Sequence, residues 1–138
     1  MITPEIREQL AALLVVELGP GTPVLPYGVF GPFDPPAVVI GEPDTEFDAW
    51  SCTDTATLGL AVVVRHEPAG PRDTARALGE LWPTVAAAVR RLITADDTLG
   101  GLVTSTVLKS ATFGDFVVAG QPYPAQLLTL EIHSPTNL

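Results

Sequence analysis

The chain has 138 residues, room for one domain that buries about two thirds of its unfolded surface without a staple. Its single cysteine, Cys52, excludes a disulfide within these residues, and no run reaches the length of a membrane span. A net charge of −9, from 16 acids and 7 bases, excludes a protein that holds a nucleic-acid backbone by charge.

Charged residues make up 17%, against about 25% in an ordinary domain. Mean hydropathy is +0.32. A small monomer so short of polar groups is expected to cover part of its surface with another subunit. The opening MITPEIREQL has acids where a secretory leader has a basic region, so a soluble chain retained where it is made is expected.

Thr3-Pro4-Glu5-Ile6 predicts a helix start. Thr3 can cap it, Pro4 suits the first position and Glu5 complements the positive end. Ile6, Leu10, Leu13 and Leu14 line one face. Ala11 to Val16 is apolar nearly all round, which predicts burial on more than one side. Gly19-Pro20-Gly21 stops the helix.

Pro20 to Pro43 holds seven prolines in 24 residues and reads as extended, turn-rich chain. Two strands are expected within it, one at Val24-Leu25 and one at Ala37 to Ile40. Thr57 to His66 is apolar on both faces and predicts a central strand. A second helix starts at Arg72 or Asp73, with Leu78, Trp82, Val85, Val89 and Leu92 as its core stripe and a kink expected near Gly79 to Trp82, before Pro83. Leu102 to Thr112 reads as a long strand, Phe113-Gly114-Asp115-Phe116 as a turn, Phe116 to Ala119 as a short return strand and Gln121 to Pro124 as loop. Gln126 to His133 closes the chain as a strand. The order predicts a single α+β domain over residues 1–138, with a mostly antiparallel or mixed sheet of about four to five strands and two main helices on one face.

Chemical motifs are sparse. Asp44, Glu46 and Asp48 alternate like the first ligands of a calcium loop, but Ala49 stands where the loop needs glycine and Thr55 where it needs glutamate. A solvated acidic loop or edge fits better. Cys52, His66 and His133 have no zinc spacing. Glu131 and His133 fall on one strand face, the pattern of a solvated face more than of an acid–base pair. No nucleophile motif accompanies the serines. The stretch ADDTLGGLV (95–103) matches no phosphate loop, and its acids would repel phosphate. It predicts a corner: Asp96 and Asp97 as turn formers, Leu99 tucked beneath, and Gly100 or Gly101 supplying a positive φ. No enzyme chemistry, metal or cofactor is expected.

One arrangement points further. The chain runs from an N-terminal helix through the Pro-rich segment to PAVVIGEP (36–43) and LGLAVVVRH (58–66). LGELWPTVAAAVRRLI (78–93), DDTLGGLV (96–103) and a loose Pro-to-LxLEI ending over 122–132 follow. This layout resembles the tail terminator (tail completion) proteins of long-tailed bacteriophages over most of the chain. The resemblance implies a virion structural protein of the head–tail junction, assembled in the host cytoplasm. It implies a homo-hexameric ring that caps the tail tube, stops its polymerisation and meets the head-completion proteins, with no catalytic residues and no membrane. DNA would pass through without specific binding. Six copies at −9 would carry −54, a repulsive lumen for phosphates. On that reading Asp44, Glu46 and Asp48 face the lumen or tube, and Phe113 and Phe116 reach a neighbouring subunit. Another neck component is a rival within the class. A small oligomeric α+β ligand-binding protein or enzyme, with a site between subunits, is the rival outside it.

Overall fold

A computed structural model describes residues 2–47 and 52–135. Asp48, third in the acidic series, lies outside them. Helix α1 spans Pro4–Leu18, and strands β1 (Val24–Leu25), β2 (Ala37–Ile40), β3 (Asp44–Glu46) and β4 (Thr53–Val63) follow. Helix α2 spans Pro71–Ala95, and β5 (Ser105–Val118) and β6 (Gln121–Pro135) form the closing hairpin. The sheet has six strands in the order β1-β2-β4-β6-β5, with β3 on the free side of β4's first half. Only β1 and β2 run parallel among these pairs. The expected α+β domain is thus present, with one or two strands more than the sequence suggested.

Both helices lie on one face. Ile6, Leu10 and Leu14 of α1 and Leu78, Val85, Val89 and Leu92 of α2 bury against Val38, Ile40, Leu58, Leu60, Leu128, Leu130 and Ile132. Thr3 caps α1 as expected, its hydroxyl accepting from Ile6 N at 3.3 Å, and Gly19 ends it at φ 78°. The all-round burial expected for Ala11 to Val16 does not occur. Ala11 and Leu14 are buried, but Val15 is 43% and Val16 80% exposed, because the sheet and α2 cover only one side of α1.

The kink expected at Pro83 is not a break: α2 runs as one α-helix from Pro71 to Ala95. Gly79, whose carbonyl loses its partner, and Pro83 are both exposed, so water can satisfy that carbonyl.

The hairpin differs more. Phe113 to Phe116 is not a turn but the middle of β5, with Gly114 opposite Ala125 and Asp115 opposite Pro124. Gln121 to Pro124 is strand rather than loop, and β5 begins at Ser105 rather than Leu102. The chain reverses at Ala119-Gly120, both at positive φ (51° and 79°), in a two-residue loop whose twist suits antiparallel strands.

Among the described residues, no helix lies on the other face of the sheet. The segment between β1 and β2 folds over one end as a strap. Leu25, Val29 and Phe33 cover Val39, Ala61, Val63 and Ala125 together with Phe116 and Tyr123. Phe33 meets Tyr123 edge-on at 5.3 Å and Phe116 at 6.3 Å. The strap is fastened by Arg7 of α1. Its Nε donates to Pro26 O at 2.9 Å, Nη2 to Ile40 O at 3.4 Å and Nη1 to Glu42 Oε2 at 3.1 Å, and its guanidinium lies 5.0 Å over the Tyr27 ring.

Candidate functional site

Beyond the strap, the helix-free face stays open. Two adjoining depressions of about 280 and 290 Å³ share Ala61, Phe116 and Leu127 and together make one shallow groove. Its floor is apolar because β4 and β6 place small residues there. Gly59 pairs with Thr129 and Ala61 with Leu127, and a Cβ on Gly59 would stand 2.9 Å from Leu127 Cδ1. Leu127 therefore lies flat along the sheet, 43% exposed. Glu42 and Asp44 line one end, and the other is closed by the β5 edge at Gly114, where Phe113 and Asp115 alternate away to the helix-bearing face; no base lines either depression.

Asp44 and Glu46 are exposed and alternate with half-buried Thr45 on β3. Their partners Thr57 and Thr55 also point to the helix-free face, so the acids extend the open surface as an acidic edge. Phe113 and Phe116 are both in β5 but three residues apart, hence on opposite faces. Phe116 is half-buried beneath the strap, whereas Phe113 is 68% exposed and Val117, on the same face as Phe113, is 61% exposed.

Glu131 and His133 share a face as expected, and the structure adds two partners. Thr55 Oγ1 lies 3.2 Å from His133 Nδ1, His133 Nε2 lies 2.9 Å from Glu131 Oε1, and Lys109 Nζ lies 3.7 Å from Glu131 Oε2. Hydroxyl, imidazole and carboxylate in series resemble a nucleophile and its base. However, Thr55 sits in the middle of the sheet, paired with Glu46 on one side and His133 on the other, so neighbouring amides serve the ladders and are not free to hold an oxyanion. The chain of contacts ties β4, β6 and β5 together across the face. Among the described residues no group of three or more His, Cys, Asp or Glu could hold a metal. His66 lies against Pro122 O, and Cys52 is exposed.

The 95–103 corner is structural. Asp96 Oδ1 accepts from the Thr98 amide at 2.9 Å and from its hydroxyl, and Oδ2 accepts from Gly100 N at 3.0 Å. The Thr98 hydroxyl first, then the Thr98 and Gly100 amides, hold the carboxyl of Asp96 below its ordinary pKa. Asp97 is exposed. Gly100 and Gly101 both take positive φ (76° and 87°), and so does Leu99 (51°), which is fully buried under the corner.

Two features had no sequence signal read from them: the open groove, and an exposed arginine-bearing stripe along α2. No model of a known protein family matches the chain, and no curated protein matches it.

Proposed function

We propose that the chain is a ring-forming structural subunit of a phage tail, a tail terminator that caps the tail tube and joins it to the head-completion proteins. The observation that carries the reading is the amount of apolar surface left open on a low-charge subunit. Val16, Phe113 and Val117 are more than half exposed, and beside the strap the sheet has an uncovered apolar groove. Such surfaces suit permanent subunit contacts. The element order that resembles the tail terminators, and the α+β architecture that the resemblance implies, support the same reading. In the ring, the acidic edge of Asp44 and Glu46 faces the lumen or tube, and the β5–β6 hairpin reaches the neighbour. The net charge of −9 per copy keeps DNA from adhering as it passes. Another neck component would share these properties.

The test is mass by light scattering and negative-stain imaging of the chain alone and mixed with tail-tube protein. Six-membered rings with a central hole, free or seated on tube ends, are expected. A compact dimer or trimer that leaves tube ends bare would overturn the reading. That outcome would favour an oligomeric ligand-binding protein, for which one observation speaks: an open surface depression of about 410 Å³ lined by Arg65, Glu67, Glu80 and Thr84 beside Pro36 and Leu81.

A further inference from the structure

Strand β5 has one side open. It is an edge of the sheet and, among the described residues, pairs only with β6 along its 14 residues. The opposite edge is made of short strands: β1 has two residues, and β3 has three, with the acids Asp44 and Glu46 among them. Short and charged edges resist pairing with another chain. β5 is neither short nor highly charged. Its one register shift, between Leu108 and Ser110, precedes a regular run from Ser110 to Val118 that has no proline and a single charge, Asp115. Ala111, Phe113 and Val117 are exposed along this run, Phe113 at 68% and Val117 at 61%.

The pairing also shows which backbone groups are free. Val118 and Gln121 close the two-residue loop at Ala119-Gly120, and such a closing pair exchanges both of its hydrogen bonds. Alternation from there turns Gly114 and Phe116 toward β6 and turns Ala111, Phe113, Asp115 and Val117 outward. A separate contact agrees. The Val64 amide donates to Pro124 O at 3.1 Å, so Pro124 serves β4, and Asp115, opposite Pro124, faces away from β6. The amides and carbonyls of these four residues therefore have no partner within the sheet. Their side chains lie together on the helix-bearing face.

We infer that two copies of this chain pair through β5, antiparallel about a two-fold axis at Gly114. The run from Ser110 to Val118 has Gly114 at its middle. Paired with itself in this register it leaves no outward group over: Ala111 meets Val117 of the second copy, and Phe113 meets Asp115 of the second copy, each twice. Neighbouring registers are poorer. An axis at Asp115 sets two acids directly opposite each other, and an axis at Phe113 sends Val117 to Lys109 in the bulge. The axis is perpendicular to the sheet, so both helix layers stay on one side, and Ala111, Phe113 and Val117 of both copies form one apolar patch between them. The contact uses the same surface on each copy and closes on two. It goes beyond the ring reading, which needs head-to-tail contacts. The pair is a form of the free chain, and it opens where the same hairpin has to reach a neighbour in a ring.

A cysteine at the axis reads the register. In a non-hydrogen-bonded antiparallel pair the Cα atoms lie about 4.5 Å apart, within disulfide reach, and a Cβ on Gly114 meets nothing within 4 Å. Gly114→Cys in a Cys52→Ser chain is expected to give a disulfide-linked dimer on mild oxidation. Thr112→Cys in the same background is expected to give none, because the two positions lie about 14 Å apart along the strands at ~3.4 Å per residue. Sedimentation equilibrium supplies an independent readout. Phe113→Asp sets two acids opposite each other on both sides of the axis, whereas Phe113→Lys sets a base opposite Asp115 on both sides. Phe113→Lys is therefore expected to dimerise at least about tenfold more tightly than Phe113→Asp. Both should keep the circular dichroism of the wild type, since Phe113 is exposed.

Linked dimers from Thr112→Cys as readily as from Gly114→Cys would overturn the contact. So would equal dimer affinities of the two Phe113 variants, or a wild type that stays monomeric to its solubility limit. Tail-tube ends separate this inference from the ring. Wild-type dimers that leave tube ends bare, with Gly114→Cys linking as expected, keep the β5 pair and overturn the ring. Rings on tube ends, with no linked dimer from Gly114→Cys, overturn the pair and keep the ring.

Discussion

Arg7 is the most consequential single side chain outside the apolar core. It is 92% enclosed, with side-chain exposure of 8%, and spends its donors on carbonyls of the strap and of β2. Arg7→Met keeps most of the stem and removes every donor. The carbonyls of Pro26 and Ile40 then lose charged partners, each bond worth about 1.5–3 kcal/mol net, with the 3.4 Å bond at the low end. The ion pair adds little, because Glu42 is 81% exposed. A loss of about 3–4.5 kcal/mol follows. For a domain of this size that lowers Tm by roughly 9–18 °C. Calorimetry measures the shift, and hydrogen exchange should show the largest gain at the strap amides, residues 20–34. Glu42→Gln should cost less than about 1 kcal/mol. A cost for Glu42→Gln equal to that of Arg7→Met would refute the reasoning, since the ion pair rather than the carbonyl clamp would then be the source.

Three further outcomes are expected. Asp96 has a depressed pKa, so its bonds to Thr98 and Gly100 add stability above the ordinary carboxylate pKa of about 3.9, and that stability disappears as pH falls through the lower folded value. Asp96→Asn should therefore flatten the acid limb of the stability curve, measured by urea unfolding across that range. The Thr106 hydroxyl is buried without a hydrogen-bond partner, so Thr106→Val should leave stability unchanged or raise it by about 1 kcal/mol, read as an increase in urea midpoint. Gly101 stands at φ 87° with open space around it. Gly101→Val should cost about 1–3 kcal/mol through backbone strain alone, and Gly101→Asn distinctly less; equal costs would point to a lost contact instead.

Much of the fold was legible because burial leaves a periodic trace. The strand expected over Thr57 to His66 is central but spans Thr53–Val63, with β6 along one side and β3 or β2 on the other at Thr55–Thr57 and Leu60–Val63, and the α2 stripe from Leu78 to Leu92 packs as its spacing predicts. The hairpin was misplaced because two local signals conflict. Phe-Gly-Asp-Phe has turn composition but is long enough in the pleat to pair with β6, while Ala119 enters left-handed space without a side chain that favours it. The candidate surface was legible only in part. Asp44 and Glu46 read as an exposed edge from their alternation alone. The groove joins residues of β2, β4, β5 and β6, and the Thr55–His133 bond spans 78 positions, so no window of sequence contains either. Arg7 was silent for the same reason: its partners lie 19 to 35 residues away, and two of them are backbone carbonyls, which any residue supplies.

The opposite facing of Phe113 and Phe116 allows folding and assembly to be separated at one hairpin. Phe116 is half-buried, with Phe33 6.3 Å from it and Leu25, Val29 and Tyr123 in the same cluster. Phe116→Asp removes that aromatic contact and sets a carboxylate against apolar neighbours, a loss of about 2–3 kcal/mol from burial and ring contact together. Phe113 is 68% exposed and points to the face opposite the groove. Phe113→Asp should change unfolding free energy by no more than about 0.5 kcal/mol. If the hairpin lies at a subunit contact, that same variant should weaken assembly while its thermal unfolding as a monomer stays at the wild-type value. Phe116→Asp should lower both together. Assembly by the Phe113→Asp chain at wild-type concentrations would show that the exposed side of the hairpin faces solvent in the assembled particle, and the contact would then have to lie on the groove side of the sheet alone.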